Sequence, residues 1–309
     1  MKMRFNKSKI LTSSIIFVVF FAVIWFLLFS APKNFPTGVV IKIEEDASAA
    51  NIIKELESAR VIKNTQPLSF IVKALGKEKS IQSGDYVFDE PLSMFGVVMR
   101  IIKGDFNVKM TRVTIPEGST LKSIAEIFSS FENFNKKNFL TATKNLEGYL
   151  FPDTYFFSPY ASTDEITKIM RNNFKNKVGD IGPEVIIMAS LIEKEVANKS
   201  DRRIVSGILW KRLNIGMPLQ VDAIFPYIIG KKSFELTPED LKIDSPYNTY
   251  LHKGLPPYPI ASPGLDAIEA ALNPVNSAYF YYLSDKEGNT HYAVSLDEHK
   301  TNKRKYLLN

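Results

Sequence analysis

The chain contains no cysteine. Disulfides, thiolate metal sites and cysteine nucleophiles are excluded, and no compartment is selected by that absence. Histidine is scarce. The three present, His252, His291 and His299, show no ligand spacing, so neither a metal centre nor another cofactor is expected. There is no G-x-S-x-G, no phosphate-binding loop and no dinucleotide fingerprint. Nor does the body of the chain carry charge of one sign. Of 39 lysines and arginines, five lie in residues 1–33, which hold no acid; the other 34 face 33 acidic side chains, a net of +1. A nucleic-acid binder would concentrate basic charge on its folded part, so nucleic acid is not an expected partner. What remains is 309 residues, 45% hydrophobic and 23% charged, enough for roughly two domains.

One long apolar run is present. Ile10 to Ala31 carries no charge and is long enough to cross a ~30 Å hydrocarbon core at ~1.5 Å per residue. Four cations precede it, which predicts a cytoplasmic tail over 1–9, a single transmembrane helix over 10–31 and everything after Pro32 outside the cell (inner) membrane. A cleavable signal peptide would have an apolar region of about 7–15 residues and a small residue at −3, where Phe29 stands. An uncleaved anchor is the expectation, and it makes an ATP-driven activity unexpected.

Residues 36–130 read as a small α+β region. Val39–Ile43 suggests a strand, Ser48–Ala59 and Pro67–Leu75 helices, and Tyr86–Phe88 a short strand. Ser93 caps a helix that runs to Lys103 and stops at Gly104. Val108–Ile115 alternates as a strand, and Pro116-Glu117-Gly118 turns into a helix from Thr120. The stretches from Ile43 and from Ile115 share a strand–turn–helix pattern, a weak internal repeat. The second, I-P-x-G-S-T-L-x-x-I-A, is similar to the LysM-type pattern of small glycan-binding modules. A generic strand–turn–helix accounts for it as well.

Residues 131–309 hold the chemistry. Glu147 to Tyr160 contains six aromatics broken by Gly148 and Pro152. Their rings could stack on sugars or form a core strand pair. Gly182-Pro183 opens a helix read over Glu184–Lys199, apolar through Ile192, with proline in the first turn where its missing N–H costs nothing. Two glutamates close it. Glu193 shares a face with Ile186, Ala189, Ser190, Val196 and Ala197, surroundings that raise a carboxyl pKa and suit a general acid. Glu195 has Lys199 four residues on and reads as a surface ion pair. Asp201 is expected to cap the next helix, and Leu219-Gln220-Val221-Asp222 forms a loop with a polar pair. Thr237–Asp240 opens a short helix in capping-box style, and Gly254–Gly264 is a rigid, proline-rich segment of the kind that carries function. A helix at Leu265–Leu272, a hairpin around Glu287-Gly288 and a terminal helix complete the chain.

Five motifs occur in one order: E-G-Y-L-F-P-D-T-Y (147–155), A-S-L-I-E-K-E (189–195), L-Q-x-D (219–222), Y-N-T-Y (247–250) and G-L-P-P-x-P-I-x-x-P-G (254–264). Together they resemble the endolytic murein transglycosylases of the MltG/YceG type along nearly the whole chain. The resemblance implies an α+β fold: a transmembrane helix, a LysM-like subdomain over 36–130 and a mixed α/β catalytic domain over 131–309. It implies a lyase that cleaves between N-acetylmuramic acid and N-acetylglucosamine inside nascent peptidoglycan strands, leaving 1,6-anhydro ends and terminating elongation near the peptidoglycan synthases. It places the acid at Glu193. Gln220, Asp222, Tyr247, Asn248, Thr249, Glu147 and Tyr149 are candidates for substrate binding. Val221 and the Ala-Ile-Phe-Pro that follows Asp222 depart from the family's usual loop, which weakens the grip assigned to it. Two alternatives stay open. A hydrolase would pair the acid with a second carboxylate, Asp222 first, then Asp153 or Glu147. A non-catalytic glycan-binding scaffold would need no acid.

Overall fold

The computed structural model describes residues 15–23, 26, 30–44, 47–74, 81–231 and 235–307. Residues 15–23 are helical, but no helix among the described residues is long and apolar enough to cross a membrane. The run Ile10–Ala31 lies partly outside the described residues, at 10–14, 24, 25 and 27–29. The chain divides into two compact units between Met110 and Thr111.

In the first unit, β1 (Val40–Ile43) pairs antiparallel with β2 (Gly84–Val87), Val40 opposite Val87. Helices α1 (Ala49–Ser58), α2 (Thr65–Ala74) and α3 (Met94–Lys103) cover the pair. Local chemistry sets the ends. Ser48 and Ser93 cap α1 and α3 by accepting the N–H of Asn51 (3.2 Å) and Gly96 (3.1 Å). Gly104, at φ 67°, takes the left-handed turn that ends α3. The apolar stripes of these helices, with Ile41, Ile43, Tyr86 and Phe88, form one buried core.

The second unit begins with β3 (Thr111–Thr114), whose partner is β4 (Thr154–Phe157), with Thr111 opposite Phe157. The structural division thus falls before β3 and α4 (Leu121–Ile127), both read from sequence with the region ending at 130. Backbone pairing across forty residues is what draws them into the second unit. Strand β4 divides the aromatic stretch: Tyr155 and Phe157 are buried in a core with Phe128 and Phe139, Phe156 is exposed, and Phe151 is buried in the separate core around the helices that follow.

Helices α5 (Lys136–Ala142) and α6 (Thr163–Val178) complete that core. A further core surrounds α7 (Pro183–Glu195), α8 (Lys199–Asn214), α9 (Phe225–Ile229) and α10 (Leu265–Leu272). Helix α8 lies so close to the Val275 backbone that a Cβ on Gly207 would sit 1.9 Å from the Val275 carbonyl oxygen, which fixes glycine there. The hairpin of β5 (Tyr281–Ser284) and β6 (Thr290–Ala293) precedes the terminal helix α11 (Leu296–Tyr306). The described residues form an α+β fold with three two-stranded antiparallel sheets.

Helix α7 ends earlier than its pattern suggests. Val196 is extended (φ −119°, ψ 103°), and Asn198, not Asp201, caps α8 by accepting the Ser200 N–H (3.2 Å). Asp201 instead accepts from the Tyr292 hydroxyl (2.9 Å). The break changes every spacing argument beyond Glu195. Lys199 belongs to a new helix and pairs with Asp266, so the expected Glu195–Lys199 surface pair does not form.

Candidate active site

Glu193 and Glu195 occupy the last turn of α7 and diverge. Glu193 meets Arg202 of α8 in a two-pronged ion pair (2.8 and 3.3 Å) and also accepts the Gly264 N–H (3.0 Å). Both side chains are only 6% exposed. Arg202 ties itself further to the Val196 carbonyl (3.2 Å). The 116–119 turn docks beside them: Gly118 donates to the Ser262 carbonyl (2.8 Å) and its own carbonyl accepts from Lys194 (3.2 Å). The small, apolar surroundings read for Glu193 along one helix are thus corrected by an arginine from the next.

Glu195 has the character expected of the acid. Its carboxyl accepts the Ala223 N–H (3.2 Å) and the Tyr282 hydroxyl. Burial pushes its pKa up to about 7, and the negative charge of Asp222 adds to that; the two donors and the Arg212 charge oppose it more weakly. Asp222 accepts from the Tyr250 hydroxyl. Burial and the neighbouring carboxylates hold the Tyr250 and Tyr282 phenols well above their ordinary range, so both remain donors. Arg212 is fixed by the carbonyls of Leu219 and Phe280 (2.7 Å each), which joins the 219–222 loop to the C-terminal hairpin. The site therefore unites the end of α7, the loop at Asp222, Tyr250 and Tyr282. Such a proton-holding carboxyl beside a second carboxylate is the arrangement of acid–base catalysts.

The other expected site residues separate into groups. Gln220 is exposed, at φ 52° between buried Leu219 and Val221, a left-handed conformation that costs energy for a residue carrying a Cβ and marks the loop as constrained. Asn248 and Thr249 are buried positioning residues. Asn248 donates to the carbonyls of Leu241 (3.0 Å) and Ile243 (2.9 Å) and accepts from the Tyr250 N–H (3.0 Å). Thr249 accepts the Val221 N–H (3.0 Å), holding the Y-N-T-Y and L-Q-x-D loops together. These bonds hold Tyr250 and the loop at Asp222 in place. Tyr247 packs on Tyr227 (5.2 Å between ring centres), and Tyr149 on Phe174 (5.3 Å).

Glu147 is buried away from the acid pair in its hydrogen bonds. It accepts the Leu121 N–H (3.0 Å) and the Tyr227 hydroxyl (3.4 Å), and burial pushes its pKa up to about 7 against those donors. Asp153 is bound to Asn173 (3.0 Å) and Lys177 (2.9 Å), which hold its pKa below the ordinary value. Neither shares a hydrogen bond with Glu195, so Asp222 is its carboxylate neighbour. For Glu147 the fold favours the neutral form: between its ordinary value of 4.5 and about 7 the folded chain keeps a proton that the unfolded chain has lost. Stability is greatest below that window and falls as pH rises through it, by up to about 3 kcal/mol for this one group. Urea unfolding at pH 5 and pH 8 is expected to show the decline, and Glu147→Gln to reduce it, the Glu195 carboxyl, also pushed up to about 7, supplying a further share. An equal decline in the variant would assign the effect elsewhere.

A fold of small antiparallel sheets among helices, enclosing a protonatable carboxyl at a helix end, defines a candidate acid–base enzyme. Comparison with known proteins narrows this. The model of the YceG-like family matches residues 41–305, and the chain belongs to that family. An endolytic murein transglycosylase of Bacillus subtilis is 32% identical over 321 aligned residues, covering 91% of this chain and 88% of the relative. An endolytic murein transglycosylase of Streptococcus pneumoniae is 29% identical over 85% of this chain; the alignment spans 57% of that longer relative. A crystal structure of a yceG-like protein from Listeria monocytogenes superposes with a TM-score of 0.55 at 29% identity, covering 85% of this chain and 98% of that one.

Proposed function

We propose that the chain is an endolytic murein transglycosylase, a lyase acting within peptidoglycan strands, with Glu195 as its acid. The observation that carries the assignment of the acid is the enclosed Glu195 carboxyl, pushed up to about 7 beside Asp222. Family membership and the names of the relatives support the substrate class.

The reaction needs one carboxyl used twice. Protonated Glu195 donates to the glycosidic oxygen between N-acetylmuramic acid and N-acetylglucosamine, and the bond to muramic C1 breaks. The resulting carboxylate takes the proton from the muramic C6 hydroxyl, whose oxygen closes on C1 to form the 1,6-anhydro ring. Atoms balance without water. The hydroxyls of Tyr250 and Tyr282 keep Asp222 and Glu195 oriented, and the Asp222 charge keeps the Glu195 proton available near neutral pH. A muramidase is the second reading, favoured by the adjacency of two carboxylates, one of which would direct water.

The same reading includes the anchor over 10–31, with residues 1–9 in the cytoplasm and the remainder outside the cell membrane, and a LysM-like glycan-binding role for residues 36–130. It includes peptidoglycan synthases as neighbours, so that cleavage terminates strand elongation. Mass spectrometry of glycan strands incubated with the full chain tests the chemistry. Internal fragments with anhydro ends are expected. Reducing ends would replace the lyase with the muramidase, and intact strands that stay bound would leave a scaffold.

A further inference from the structure

A groove of about 410 Å³ opens at the opposite end of α7, between the N-terminal turns of that helix, the C-terminal half of α6 and the Pro257-Tyr258-Pro259 segment. Tyr149, Phe174 and Tyr258 line it, with Tyr258 half exposed. Arg171 and Lys175, four residues apart on α6, stand on one side. Neither has an ion-pair partner among the described residues, and Asp180 is the acidic side chain in the lining. Aromatic faces with two uncommitted cations favour a ligand that has an apolar ring surface and an acidic substituent.

The groove is joined to the acid site by rigid parts. The proline-rich segment 254–264 runs alongside α7 in register: Ile260 donates to Ser190 (3.1 Å), and Gly264 to Glu193 (3.0 Å). At the groove end, a Cβ on Gly148 would lie 2.6 Å from Pro259, so the E-G-Y turn and this segment are locked together by a glycine. From Ile187, in the groove wall, to Glu195 is two turns of helix, about 12 Å. An extended polymer cut at Glu195 is long enough to reach both places.

We propose that this groove is a distal subsite for the glycan strand. It seats an N-acetylated sugar against the rings of Tyr149 and Tyr258 and directs a muramyl carboxylate, from the lactyl group or its peptide stem, to Arg171 and Lys175. The proposal rests on the strand being the substrate, as set out above. It gives a role to two cations on the rim of a largely apolar, aromatic-lined groove, and it makes cleavage sensitive to strand length.

The test uses the full chain in a Glu195→Gln background, so that strands survive titration. Two probes are compared: a tetrasaccharide of alternating N-acetylglucosamine and N-acetylmuramic acid, and neutral chitotetraose. Reversal of the two exposed cations, Arg171→Glu with Lys175→Glu, is expected to raise Kd for the muramyl probe about 10-fold and leave chitotetraose within about 2-fold. Tyr258→Ala is expected to weaken both. Charge reversal that leaves muramyl binding unchanged, or weakens both probes equally, overturns the proposal. Cleavage of long strands by the chain with Glu195 intact is measured in parallel. Binding in the groove without cleavage would sink the enzyme reading alone, whereas cleavage indifferent to all three groove substitutions would sink the subsite alone.

Discussion

Glu195→Gln is expected to lower strand cleavage by about 10²–10⁴-fold while leaving the fold intact, because glutamine keeps the shape and loses the proton. The same group sets the pH dependence. The acid must start protonated, and its pKa is pushed up to about 7, so kcat/KM is expected to fall as pH rises through that value. Asp222→Asn removes the neighbouring charge that helps hold the proton, and should move the falling limb to lower pH. Steady-state rates on strands of fixed length across pH 5–9 would read both effects. A Glu195→Gln enzyme with more than a tenth of normal activity would return attention to Glu193.

Glu193 is expected to act on stability instead. Its carboxylate and the Arg202 guanidinium are both buried, with the Gly264 N–H and the Val196 carbonyl completing the set. Removing one partner leaves a buried charge uncompensated, at a cost of about 3–5 kcal/mol. Glu193→Ala and Arg202→Met should each lose that much in urea unfolding, and Glu193→Met with Arg202→Met together should recover most of it. Activity per folded molecule then separates the roles. If Glu193→Ala folds under stabilising conditions and retains cleavage within about 10-fold, the pair is structural. Full loss in a folded protein would make Glu193 part of the chemistry.

The surroundings of the two glutamates, an arginine beside Glu193 and deep burial of Glu195, mark where sequence reasoning stopped. Helix α7, its proline at the first turn and the E-K-E at its end were legible because they follow from local periodicity. So were α10, matched residue for residue at Leu265–Leu272, and the start of α4, read from Thr120, which caps it by accepting the Ser123 N–H (3.2 Å). The surroundings of the carboxylates were not. Arg202 reaches Glu193 only because the helix breaks at Val196, a break that no proline or glycine announces. Tyr282 reaches Glu195 from a hairpin far along the chain, and nothing in its own neighbourhood of tyrosines distinguishes it. Tyr250 carried a usable signal, its place in Y-N-T-Y, but the backbone bonds that Asn248 and Thr249 make to the neighbouring loops were not readable from it. Polar residues in a loop read alike from sequence, whether they face a ligand or their own backbone.

The hairpin contact has a consequence for how the chain becomes active. Glu195 and Asp222 are made first, and the hydroxyl of Tyr282 and the Phe280 carbonyl that anchors Arg212 arrive only with the last tenth of the polypeptide. Until β5 docks, Glu195 lacks a donor and Arg212 lacks one of its two anchors. A chain still being synthesised, or one clipped before β5, therefore carries Glu195 and Asp222 without the Tyr282 hydroxyl and without the Phe280 anchor of Arg212.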